Sequence, residues 1–251
     1  MIALALLLAA AAPVPAERAR YDACVAKSDA DAKAAIADAR AWAGSGGGVA
    51  AGQCLGIAQS AAGDDAAAAD SFAATAELAG QTGDARAPTL WVSAGNAALA
   101  AGDAARAKRL LGQAIESSAL AGQMRGEAFL DRARANVALA ALAEARADMD
   151  EALKLVPADP MAWLLSATLA RRMGDARAAT DIHEADVRAP NEPAILYEAG
   201  NIAAAHDDMV GARENWARAR AVGPDSDAGR AATAELARSG GIPPAPQPQG
   251  R

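Results

Sequence analysis

Five segments of this 251-residue chain place an alanine about one helical turn ahead of a larger apolar or bulky residue: Ala68 with Phe72, Ala107 with Leu111, Ala145 with Met149, Ala179 with Ile182 or His183, and Ala212 with Trp216. Successive alanines stand 39, 38, 34 and 33 residues apart. A unit of about 34 residues holds one pair of helices, which can bury its apolar face only by stacking on the next pair. Turn signals fall between the helical patterns at Gly63-Asp64, Gly83-Asp84, Gly102-Asp103 and Gly174-Asp175. Glycine can enter the left-handed conformation that ends a helix, and aspartate can cap the first amides of the following one, so each pair predicts a tight helix-to-helix turn. Pro157, Pro190 and Pro224 punctuate the last three units.

Composition supports the same reading. Alanine supplies 78 residues and the aromatics only 8, which favours helix and starves any sheet of β-branched and aromatic residues. A core made largely of methyl groups buries little area per residue, so its helices must approach closely along their length. The net charge of -7 argues against wrapping nucleic acid, which needs clustered cations.

These units resemble the tetratricopeptide repeat family. The fifth matches most fully, with Leu196, Ala199, Gly200, Ala212, Trp216, Ala219 and Pro224 in register. The second shows Trp91, Ala94, Gly95, Ala98, Gly102, Ala107, Leu111 and Ala114, and the third Phe129, Ala133, Ala145, Met149, Ala152 and Pro157. Trp163, Ala167, Gly174 and Ala179 mark the fourth, which needs one deletion to reach Pro190; Leu55, Gly56, Gly63, Ala68 and Phe72 mark the first. The resemblance implies an all-α, right-handed α-solenoid of helix-turn-helix hairpins, with about five repeats over 48–224. Residues 17–47 read as a capping hairpin, with Tyr21, Ala35 and Trp42 facing inward, and 225–238 as a capping helix. The Pro/Gly/Gln-rich stretch 239–251 reads as a disordered tail.

Residues 1–16 read as a signal peptide. The apolar run from Ile2 to Ala12 is followed by Pro13, Val14, Pro15 and Ala16, with cleavage expected after Ala16. A run of this length falls short of the roughly 20 residues that span a bilayer, so no stable membrane anchor is expected after cleavage. A periplasmic or secreted protein follows from this reading; a buried first helix is the alternative. Export would place Cys24 and Cys54 in an oxidising compartment, where an even cysteine count favours a disulfide, while two buried thiols packed as hydrophobes remain the other reading.

Catalytic chemistry is scarce in the sequence. His183 and His206 have no partner at ligand spacing, the acidic pairs Asp64-Asp65 and Asp207-Asp208 sit where helices start, and Gly46 to Gly48 lack the Lys and Ser or Thr of a phosphate loop. The expectation is a non-enzymatic binding protein with no cofactor, no metal and no nucleic-acid partner. In the resembled family the first helix of each hairpin lines a concave groove. Carried onto this chain, those positions are Val92, Asn96 and Leu99; Leu130, Arg134 and Val137; Leu164, Thr168, Arg171 and Arg172; and Tyr197 and Asn201. Asn96 and Asn201 fall where peptide-binding members place an Asn to hold a ligand backbone. Arg134, Arg171 and Arg172 would suit an acidic segment or a C-terminal carboxylate. The plainer alternative is that these arginines solubilise the surface. An assembly factor that bridges larger envelope complexes through its convex face or its ends is the second functional reading.

Overall fold

A computed structural model describes residues 16–240. Residues 1–15 of the expected signal segment 1–16, and 241–251 of the expected tail, lie outside the described residues. Thirteen α-helices and no strand occupy the described part, which divides after Ala114 into two compact units.

The first unit holds α1 (Ala16–Ala30), α2 (Ala32–Gly44), α3 (Gly48–Ala61), α4 (Asp65–Thr82), α5 (Ala87–Ala100) and most of α6 (Ala104–Glu116). Helices α3 and α4 form one hairpin and α5 and α6 the next, with α1 and α2 packed at the start. Cys24, Ala39, Trp42, Ala50, Ala51 and Cys54 form a core there, with Tyr21 partly buried against it. Cys24 on α1 and Cys54 on α3 are joined as a disulfide across a Cα–Cα distance of 6.2 Å.

The second unit contains three hairpins: α7 (Gly122–Ala138) with α8 (Leu142–Leu155), α9 (Pro160–Met173) with α10 (Arg177–Arg188), and α11 (Pro193–Ala205) with α12 (Met209–Val222). Helix α13 (Asp227–Arg238) closes it, packing Ala232 and Leu236 against Leu196, Ala212, Trp216 and Ala219. A second core joins Leu164, Ala167, Ala170, Ala178, Ile182, Ala185, Ile195 and Ile202.

Small residues let the paired helices touch. A β-carbon on Gly56 would lie 2.6 Å from the Phe72 ring, and one on Gly95 would lie 2.5 Å from Leu111 Cγ. Real β-carbons do not approach that closely, so glycine at these positions admits the large residue of the second helix. The turns are equally specific. Gly63, Gly102 and Gly174 take φ of +75°, +79° and +66°, and Asp64 and Asp103 then accept hydrogen bonds from Ala67 N and Arg106 N at the start of the next helix. Ala140 and Asp207 occupy the same turn position with φ of +57° and +62°.

The fourth unit corrects the sequence register. Ala179 is exposed and Ala178 is the buried alanine, while His183 is exposed and Ile182 is buried. The missing residue therefore lies between Ala170 and Ala178, in the turn region, where a shortened connection disturbs no packing face.

Candidate functional site

Polar side chains of the second unit fall into two groups, those spent on holding hairpins together and those left on the surface. Arg132 on α7 grips Asp148 on α8 through two hydrogen bonds of 3.0 and 2.6 Å, and Asn136 donates a third at 2.9 Å. Asp148 is 5 % exposed, so these bonds replace the water it has lost. Between this hairpin and the next, Arg146 of α8 donates to Ser166 of α9 at 2.9 Å, Ser166 donates to Asp181 of α10 at 2.5 Å, and Asp150 of α8 pairs with both Arg146 and Arg177 at 2.9 Å. Burial pulls the Arg146 guanidinium below its ordinary value, against the attraction of Asp150 and Asp181. Asp148 and Asp181 hold the same place on successive second helices, 33 residues apart.

A third tie involves residues that the groove pattern singled out. Arg171 on α9 makes a bidentate pair with buried Glu198 on α11, at 2.7 and 3.2 Å. Asn201 donates to Glu198 at 3.1 Å, and its carbonyl oxygen accepts from the Trp216 indole at 3.1 Å. Arg171 is thus engaged between hairpins and Asn201 within its own, rather than either being held open for a ligand. Tyr197 is partly buried against the core around Trp216. Leu130 and Leu164 also leave the expected groove, since each is only 7 % exposed in the core.

Four of the expected residues, Arg134, Val137, Thr168 and Arg172, do come together. Arg134, Thr168 and Arg172 line a recess of about 160 Å³ with Ala133, Val137, Met149, Leu165 and Leu169. Its walls are α7 and α9, the first helices of successive hairpins, and its floor includes Met149 of α8. On α9 the lining positions are 165, 168, 169 and 172 rather than 164, 168, 171 and 172. The open face is therefore rotated, and Leu164 and Arg171, seven residues apart on one stripe, turn toward α11 and the core. Thr168 bonds only the carbonyl of Leu164 in its own helix, at 2.9 Å. Arg134 reaches Asp131 at 3.2 Å while 59 % exposed, and Arg172 is exposed with no ion pair among the described residues.

The first unit presents Asn96 exposed on α5. An open cleft of about 580 Å³ there is lined by Glu17, Arg18 and Tyr21 of α1, Ala50 and Gln53 of α3, and Arg86. Its cations are already matched, Arg18 to Asp22 at 3.0 Å and Arg86 to Asp84 at 2.6 Å. Burial raises the Tyr21 phenol, and the Arg86 hydrogen bond holds Asp84 at about 2. Among the described residues there is no group of His, Cys, Asp and Glu arranged to hold a metal ion, and no helix long and apolar enough to cross a membrane.

No family model and no curated protein sequence matches the chain. Solved structures do. YrrB, a TPR protein with an unusual peptide-binding site, is similar with a TM-score of 0.56 at 19 % identity, covering 73 % of this chain and 91 % of YrrB. Pseudomonas aeruginosa pilF gives a TM-score of 0.66 at 15 % identity, over 87 % of this chain and 99 % of pilF. MamA gives 0.57 at 14 %, over 68 % of this chain and 95 % of MamA. Identities this low speak to architecture rather than activity. With its hairpins, its small-against-large register and these structural likenesses, the chain has the all-α fold of the tetratricopeptide repeat proteins.

Proposed function

We propose that this protein is a non-enzymatic scaffold of the bacterial cell envelope that binds another protein or a peptide on the first-helix face of its second unit. The observation that carries the reading is the recess between α7 and α9, an apolar hollow with two surface arginines in its lining. The peptide-binding site of YrrB, a protein of the same fold, supports it by analogy. The envelope location rests on the apolar run and small residues of 1–16 together with the paired cysteines, because disulfides persist in oxidising compartments.

A photo-crosslinking residue placed at Arg172, and separately at Val187 on the second helix α10, tests the face. Adducts in living cells from position 172 and not from 187 are expected. The reverse pattern would favour a second reading, an assembly factor that bridges complexes through its outer face. Val187 and Val222, 63 % and 44 % exposed at the ends of the second helices α10 and α12, are the observation behind that alternative. Export is tested by fusing residues 1–20 to a reporter active only outside the cytoplasm. Signal, a mature start at Glu17 and a Cys24–Cys54 cross-linked peptide under non-reducing conditions are the expected results. Full-length cytoplasmic product with two alkylatable thiols would remove the envelope from the proposal.

A further inference from the structure

The recess between α7 and α9 has a size and a charge pattern that describe its occupant. Its volume of about 160 Å³ is close to the roughly 150 Å³ of a dry cavity that holds one benzene, so it has room for a single bulky apolar side chain and no more. Val137, Met149, Leu165 and Leu169 offer that side chain carbon on several sides. Hydroxyl chemistry is withdrawn from the hollow, because the only one in the lining, Thr168, donates back to Leu164 O. The charged residues in the lining are Arg134 and Arg172, one from each wall. No carboxylate lines the recess; the nearest acid in the bonding pattern is Asp131, which serves Arg134 from one turn away and has further contacts of its own. Arg172 has no such partner among the described residues, and its guanidinium can offer a carboxylate two parallel hydrogen bonds.

We infer that this recess recognises a segment of a partner protein in which one large apolar side chain, of leucine, methionine or phenylalanine type, lies beside an acidic residue. The apolar side chain enters between α7 and α9 and the carboxylate meets Arg172, with Arg134 adding a second cation from the other wall. This rests on the peptide-binding reading above and narrows it from a face to an anchor. Arg171, whose guanidinium is locked on Glu198, has no part in it.

The test pans the full chain against a phage-displayed library of random dodecapeptides, then measures the recovered sequences as fluorescein-labelled synthetic peptides by anisotropy. A consensus with Leu, Met or Phe within two positions of Asp or Glu is expected. Replacing that apolar residue by Ser should weaken binding by ~10–100-fold, the loss expected when one large side chain is no longer buried. Thr168→Met, which fills the hollow and breaks no bond between helices, and Arg172→Glu, an exposed change, should each weaken binding at least tenfold by direct titration. The Arg172→Glu loss should shrink as salt rises. Recovered peptides that bind both variants as tightly as the parent would overturn the anchor while leaving peptide binding intact. A basic or uncharged consensus would do the same. A library that yields no binder at all would bring down the peptide-binding reading and the anchor together.

Discussion

Gly200 lies against the indole of Trp216, so that a β-carbon added to the glycine would run into ring atoms Cδ1 and Nε1. The same sixteen-residue step relates Gly95 to Leu111 and Gly56 to Phe72, and it continues through Ala133 and Met149. Gly200→Ala should destabilise by about 1–3 kcal/mol through overpacking, and Trp216→Ala by about 3–5 kcal/mol through the cavity it leaves. In urea unfolding of all four members of the cycle, the double variant should be less destabilised than the two single losses added together, because the ring that the new methyl meets has gone. Strict additivity would mean that the two residues do not touch.

The turn at Ala140 offers a stabilising change. An alanine at φ +57° carries a penalty that glycine avoids, and this outweighs the extra chain entropy that glycine brings to the unfolded state. Ala140→Gly should raise stability by about 0.5–1 kcal/mol. Gly174→Ala, at φ +66°, should lower it by a similar amount. Thermal unfolding of the two variants side by side provides the comparison, and a shift in the same direction for both would contradict the turn geometry.

Neighbouring arginines should behave in opposite ways. Glu198→Ala strands Arg171 and removes an acceptor from Asn201, and breaking a buried pair of this kind is worth about 3–5 kcal/mol. Arg172→Ser should change stability by no more than about 0.5 kcal/mol, as exposed positions do. Denaturant midpoints suffice to separate them.

Asp84 provides a pH signature at the entry to α5. The Arg86 hydrogen bond lowers its carboxyl from the ordinary 3.8 to about 2, with the Arg86 backbone amide helping. A carboxylate whose folded value is depressed contributes stability above the unfolded value and loses it as pH falls through the folded one. The contribution is therefore present above about pH 4 and fades toward pH 2, and because the pair is solvated the effect on stability is small. Carboxyl-detected NMR should place the Asp84 midpoint near 2 in the parent and return it to the ordinary range in Arg86→Ala. An unchanged midpoint would remove Arg86 as the cause.

Much of the fold was legible because repetition amplifies a weak signal. Gly-Asp pairs mark turns, and an alanine ahead of a large residue marks a helix crossing, at spacings that the hairpins reproduce. The fourth unit was misplaced by one residue at Ala179 because Pro190 reveals that a residue is missing while alanine-rich sequence does not show where; only burial tells Ala178 from its neighbour. The site was harder to read. Arg171 meets Glu198 across 27 residues and between two hairpins, a relationship that the pattern of a single repeat does not contain. Yet a clue was present: Arg132, Asn136, Ser166 and Glu198 interrupt helical stripes that are otherwise apolar, and Asp148 and Asp181 recur at one place on the facing helices. Polar residues repeated at inward positions announce internal networks, and the charges that remain outside them are the ones free for a partner.

Arg171 and Arg172 are adjacent in the chain yet belong to different parts of the molecule, one clamped to Glu198 and the other facing solvent beside the hollow. A chain built this way separates what must stay constant from what can vary within a single peptide bond. Positions 134, 168 and 172 could be randomised together to redirect the protein toward new ligands while the scaffold keeps its stability, whereas the same diversity at 171 would fill a library with molecules that no longer hold their hairpins together.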